Sequence, residues 1–144
     1  MKHLLSIVAF VVLGAFAASA QDAVKGPKME FKQTTIDYGT IEKGGDPVRI
    51  FNFTNVGNEP LVITQAQGSC GCTVPEWSKE PVLPGQGSTI KVKYDTQRVG
   101  PFTKQVTLTS NDGTNPTMVL TIKGEVKDAP KQESVPASNG GIKQ

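Results

Sequence analysis

Ser88-Thr89-Ile90-Lys91-Val92-Lys93-Tyr94-Asp95 places an apolar side chain at every second position from Ile90 to Tyr94. A strand turns successive side chains to opposite faces, so Ile90, Val92 and Tyr94 share one face while Lys91 and Lys93 share the other. Phe102 to Ser110 repeats the pattern with Val106 and Leu108, and Thr117 to Lys127 repeats it with Met118, Leu120 and Ile122. Asn111-Asp112-Gly113-Thr114-Asn115-Pro116 joins these last two as a hairpin loop. Composition extends the reading to the rest of the chain: from Gln21 onward there are 33 Val, Ile and Thr against 4 Leu and 4 Ala. Branched side chains suit a pleated strand, and the residues of a helical core are nearly absent. The fold class is all-β.

Working back from Ser88, the segment Glu76 to Gln86 holds Trp77, Pro81 and Pro84-Gly85 and reads as a crossing loop rather than a ladder strand. Gly68-Ser69-Cys70-Gly71-Cys72 interrupts regular structure, with a short strand expected at Thr73-Val74. Pro60 to Gln67 and Val48 to Asn55 read as strands, separated by the turn Val56-Gly57-Asn58-Glu59. In the second of these, consecutive Ile50 and Phe51 break strict alternation, which points to a bulge or to burial on both faces. Glu42 to Pro47 is a turn, preceded by extended pieces at Met29 to Gln33 and at Thr35 to Tyr38, the latter ending at Gly39. About seven short strands in about 100 residues predict a single immunoglobulin-like Greek-key β-sandwich. The usual inter-sheet disulfide is missing, because the two cysteines are near neighbours.

Of the 144 residues, Met1 to Ala20 reads as a signal peptide. Lys2 and His3 form a basic start, Leu4 to Ala17 is an apolar run, and Ala18-Ser19-Ala20 is a small-residue cleavage site. The run is 14 residues, whereas a membrane span needs about 20. The expected organisation is signal peptide 1–20, lead-in 21–28, sandwich 29–127 and disordered polar tail 128–144. Cleavage after Ala20 removes the only histidine, His3, and leaves 14 Lys and Arg against 13 Asp and Glu. A chain without His runs no Ser-His or Cys-His chemistry and offers no imidazole to a metal. Net charge near zero argues against nucleic acid or an anionic membrane as partner.

The residues also resemble a known group. Asp37-Tyr38-Gly39-Thr40-Ile41, Phe51-Asn52-Phe53-Thr54-Asn55-Val56-Gly57, Pro60-Leu61-Val62-Ile63, Ser69-Cys70-Gly71-Cys72-Thr73, Pro84-Gly85, Tyr94-Asp95-Thr96, Gly100-Pro101-Phe102 and Ser110-Asn111 occur in this order. Together they resemble the secreted bacterial family catalogued as domain of unknown function 1573. The resemblance implies a small immunoglobulin-like sandwich, related in fold to the ASH/Hydin, major sperm protein and pilus-chaperone domains. It implies an address at the cell envelope and no settled activity.

Cys70 and Cys72 are the residues with most chemistry to offer. Export delivers them to an oxidising compartment, where a disulfide is the ordinary state of paired thiols. On a straight strand i and i+2 lie near the upper limit of disulfide reach, so Gly71 is expected to let the backbone fold enough to close the bond. Three readings stand: a local clip or two packed thiols bracing the loop, a redox-active or redox-sensing dithiol, and Cu(I) held by two thiolates. Structural zinc needs four ligands, and only two Cys are present. Met29 and Met118, the thioethers a metal would draw on, sit in predicted strands where core packing is the ordinary role.

Trp77 is read as the cover of one end of the core, or as an exposed anchor for a partner or glycan. Asp112 belongs to a turn rather than a calcium loop, since one carboxylate is too little charge. Asn52-Phe53-Thr54 fits a glycosylation pattern but falls inside a strand. Lys91 and Lys93, with Arg98 beyond them, are expected to protect a sheet edge. Asp37, Glu76 and Asp95 are scattered, and a glycosidase needs two facing carboxylates. No catalytic constellation, resident metal or cofactor is expected. The reading is a non-catalytic, secreted or periplasmic binding or structural module. Its partner is expected to be another envelope protein, met through a strand edge or through end loops carrying Cys70, Gly71, Cys72 and Trp77. The alternative is a small thiol protein using Cys70 and Cys72.

Overall fold

The computed structural model describes residues 24–130. The expected signal peptide, the start of the lead-in and the tail beyond residue 130 lie outside them. Within the described residues the chain forms eight strands and no helix: β1 (Met29–Phe31), β2 (Thr35–Glu42), β3 (Val48–Asn55), β4 (Ile63–Gly68), β5 (Thr73–Trp77), β6 (Gly87–Tyr94), β7 (Gly100–Ser110) and β8 (Thr117–Lys127). They build two four-stranded sheets, β1-β3-β6-β5 and β2-β8-β7-β4. All pairs are antiparallel except β2 with β8. The sandwich is all-β, with one strand more than the seven expected.

Alternation fills the space between the sheets. Ile90, Val92 and Tyr94 of β6 are buried against Val106 and Leu108 of β7 and Leu120 and Ile122 of β8. Fully burying a side chain of this size stabilises the fold by about 1.5–3 kcal/mol. β3 keeps strict alternation: Phe51 and Phe53 are buried, while Ile50 is 48% exposed on the outer face. The expected bulge is absent, because β3 pairs with β6 in unbroken register. The two adjacent apolar residues divide between core and solvent.

Tyr38, Tyr94 and Phe102 close one end of the core, with the Tyr94 and Phe102 rings stacked at 3.9 Å and Tyr38 meeting Phe102 edge-on at 5.3 Å. Tyr38 donates its hydroxyl to the Pro47 carbonyl at 2.9 Å, and the Arg49 guanidinium lies 4.1 Å over its ring. Burial, only partly offset by Arg49, pushes the Tyr38 phenol up to about 12. Burial likewise raises Tyr94.

β1 stops at Phe31 and β7 starts at Gly100, each two residues from the expected bound, and three segments differ more. β2 does not end at Gly39: that residue takes φ +66° and absorbs a register shift between Asp37 and Thr40, and the strand continues to Glu42. The strand expected from Pro60 begins only at Ile63, because Leu61 instead bridges to Val82 across the long loop. Trp77, expected in a loop, is the last residue of β5. Pro75 is tolerated there because β5 is the edge of its sheet. Asp95 N–H bonds the Cys72 carbonyl at 2.9 Å, and the alternation this sets turns the Pro75 nitrogen to the open side.

Candidate functional site

The chain crosses from one sheet to the other between β4 and β5, and the cysteines sit in that crossing. Gly68 makes it possible. A Cβ on Gly68 would collide with the Thr73 carbonyl oxygen, so only glycine admits the approach of these two backbones. Ser69 then anchors the crossing to β7: its N–H bonds the Gln105 carbonyl at 2.8 Å, and its hydroxyl accepts from Gln105 N–H at 3.2 Å. Cys70 to Thr73 form a tight turn closed by Thr73 N–H on the Cys70 carbonyl at 3.2 Å. The turn brings the Cys70 and Cys72 Cα atoms to 5.2 Å, and the two residues are joined as a disulfide.

Gly71 has a different part from the one its position suggests. Its φ is not positive, and a Cβ there would meet nothing within 4 Å. The turn therefore asks nothing of glycine at this position. What Gly71 leaves is open space beside the disulfide. A cleft of about 390 Å³ lies there, lined by Gly71, Cys72, Val74, Glu76, Lys93, Tyr94 and Asp95. Cys72 is 8% exposed and belongs to the core, whereas Cys70 is partly exposed and packs against it.

Trp77 stands at the far end of β5 from the disulfide. Four steps of strand separate it from Thr73, about 13 Å at the usual rise. Its indole N–H donates to the Ile63 carbonyl at 3.1 Å, so the side chain ties β5 to β4 and packs against the core between the two sheets. Lys79 covers the ring at 3.8 Å. Trp77 lines a separate cleft with Ser78, Ser88 and Thr89, not the one beside Cys72. The cysteines and the tryptophan, grouped at one end by sequence reasoning, are thus brought to opposite ends of one edge strand.

The remaining polar residues sort by their partners. Lys91 and Lys93 face outward but lie on β6, an inner strand, so they do not guard an edge. Glu76 pairs with Lys91 at 3.6 Å, Asp37 with Lys123 at 3.6 Å and Asp95 with Arg98 at 3.7 Å. Each carboxylate is matched to a cation and none to another carboxylate. Asn52 is exposed on β3. Met29 is buried and Met118 packs against the core.

Asp112 does more than hold its turn. Its Oδ1 accepts from Thr114 N–H at 2.8 Å and Asn115 N–H at 3.0 Å. Its Oδ2 reaches across the sequence to Met29 N–H at 2.9 Å, docking the start of β1 on the β7–β8 loop. Burial works to raise this carboxyl, yet the bonds from Asn115, Met29 and Thr114, with Lys28 nearby, hold it below the usual carboxylate range. Beside it the buried Asn55 side chain donates to the Glu59 and Val82 carbonyls and accepts from Lys28 and Gly57 N–H. Sequence reasoning did not single out Gly68 or Asn55. Asn55 stood in the sequence only as a member of the Phe51 to Gly57 stretch that carries the family resemblance.

The family model described as protein of unknown function (DUF1573) matches residues 29–126. No curated protein matches the sequence. Among solved structures, a protein of unknown function from Porphyromonas gingivalis W83 is similar at TM-score 0.64 and 19% identity, over 76% of this chain and 51% of that one. The chain thus spans about half the length of that relative. The ASH/PapD-like domain of human CEP192 is similar at TM-score 0.55 and 12% identity, over 71% of this chain and 87% of that one. The CupB2 chaperone of Pseudomonas aeruginosa is similar at TM-score 0.50 and 10% identity, over 67% of this chain and 55% of that one. At these identities the likeness is one of fold.

Proposed function

The chain belongs to the DUF1573 family of proteins of unknown function, and we propose that it is a non-catalytic binding module of the bacterial cell envelope that docks a protein partner on the outer face of the β1-β3-β6-β5 sheet. One observation carries this reading. Val74 and Ile50 are 50% and 48% exposed on that face, and the register sets them beside Lys93 and Lys91 of the strand between. Lys91 is held by Glu76, while Lys93 forms no ion pair among the described residues. Aliphatic side chains around an unpaired ammonium suit a partner segment offering an apolar side chain next to a carboxylate.

Strand addition at β5, the other route open to an edge strand, is poorly supplied. Of the groups on its open side, Thr73 N–H is already bonded to Cys70 and Pro75 has no N–H. Export rests on the signal-like start of the sequence, and a chaperone among the fold neighbours is in keeping with a protein partner. The matched carboxylates support a module without hydrolytic chemistry.

The test is photocrosslinking in an envelope extract from a side chain installed at position 74, with position 119 on the opposite sheet as reference. We expect a discrete product from position 74, lost in Lys93→Glu, and none from position 119. Equal products from both positions, or none from either, would remove the proposed face.

A further inference from the structure

We propose that Cys70–Cys72 is an exchange disulfide that accepts two electrons from a dithiol, with Cys70 taking the incoming sulfur and Cys72 leaving as the thiolate. This goes beyond the binding reading and stands without it.

The first observation is the Thr73 hydroxyl. Thr73 is 2% exposed, and its Oγ1 lies 3.8 Å from Cys70 Sγ and 3.7 Å from Cys72 Sγ. A disulfide sulfur carries no hydrogen, so the hydroxyl is the donor. Toward a disulfide this is a poor bond, because the acceptor is weak. Toward a thiolate the same donor makes a charge-assisted bond about twice as strong as a neutral one. A buried donor within reach of either sulfur therefore favours the state in which the bond between them is breaking, which is what an exchange site requires.

The second observation is the asymmetry of the pair. Cys72 is buried and Cys70 partly exposed, so the incoming thiolate meets Cys70. Cys72 borders the cleft that also holds Lys93, whose ammonium favours a thiolate. The two carboxylates on that cleft, Glu76 and Asp95, are engaged by Lys91 and Arg98. The third is access: Cys70 is partly exposed, and a Cβ at the adjoining Gly71 would meet nothing within 4 Å. The fourth is the size of the ring. A bond between residues two apart removes little freedom from the unfolded chain, so chain entropy does little to protect the oxidised form.

The exchange balances as follows. A thiolate of the donor attacks Cys70 Sγ, a sulfur–sulfur bond forms to Cys70, and the Cys70–Cys72 bond breaks with its electron pair on Cys72. Cys72 takes a proton from solvent. The second donor thiolate attacks the donor's own sulfur in the mixed disulfide, and Cys70 leaves as a thiolate that is protonated in turn. The donor departs as a disulfide, having passed two electrons, and both cysteines become thiols.

The folded protein is equilibrated in reduced and oxidised glutathione, quenched by alkylation and weighed intact. Both redox states are expected across the titration under native conditions, and Cys72→Ser is expected to trap one glutathione, on Cys70. Thr73→Val is expected to slow reduction about fivefold without altering the melting of the oxidised protein, and Thr73→Ser to restore the rate. A pair that stays oxidised in millimolar dithiothreitol until the protein is unfolded overturns the proposal, whatever the variants do. Reduction of a folded Thr73→Val protein at the wild-type rate overturns the part assigned to the hydroxyl.

Discussion

The two ends of β4 are tied in opposite ways. Beyond Gly68 a covalent bond joins residues two apart, Cys70 and Cys72. Before Ile63, at the end where Asn111 N–H meets the Val62 carbonyl, hydrogen bonds join residues far apart. Asp112 reaches Met29 across 83 positions, and Asn55 reaches Lys28 and Val82 across 27 each. The stronger bond closes the shorter loop. Chain entropy gives a three-residue ring about 1.5 kcal/mol, against about 4.7 kcal/mol for a loop of 100 residues. The non-covalent end therefore holds the architecture, and the covalent end contributes little to it.

Asp112 carries the largest expected effect. Asp112→Ala leaves three backbone N–H groups without their acceptor and is expected to cost about 4 kcal/mol, read by urea unfolding. A loss below about 1 kcal/mol would mean that β1 is not held there. Gly68→Ala follows, at about 3 kcal/mol, because its Cβ meets the Thr73 carbonyl and the two edge strands must part. That variant tests the crossing itself, apart from the disulfide.

Acid weakens the non-covalent end through the same residue. The folded Asp112 carboxyl lies below its unfolded value of 3.8, so its stabilisation is complete above that pH and is lost as the pH falls through the lowered folded value. In Asp112→Asn an amide N–H₂ replaces one acceptor, and the fall of stability below about pH 4 is expected to flatten. Gly71→Ala is the smallest effect, within about 0.5 kcal/mol of wild type, since the φ is ordinary and the space open.

What could be read from the sequence follows from the range of each signal. β3 and β8 run from Val48 to Asn55 and from Thr117 to Lys127, the bounds that alternation and the flanking turns predict. Trp77 was misplaced because Pro81 and Pro84-Gly85 gave the whole segment from Glu76 to Gln86 the look of a loop, whereas β5 runs on to Trp77 and ends before either proline. Asp112 was legible as a turn residue because its partners Thr114 and Asn115 are local. Its bond to Met29 was not, because a backbone N–H leaves no mark in the side-chain pattern. Gly68 was invisible for a related reason: its obligation comes from a carbonyl brought alongside by the crossing. Gly71 erred the other way, since the Cys-Gly-Cys motif suggested a backbone need that the turn does not have.

The most direct measurement compares urea unfolding of the oxidised protein, the reduced protein and Asp112→Ala in one buffer. The disulfide is expected to contribute no more than about 1.5 kcal/mol, with reduced protein still folding cooperatively and Asp112→Ala losing more than reduction does. If reduction unfolds the chain, or costs more than the loss of Asp112, the disulfide is a structural clip and the division of labour between the two ends of β4 is contradicted.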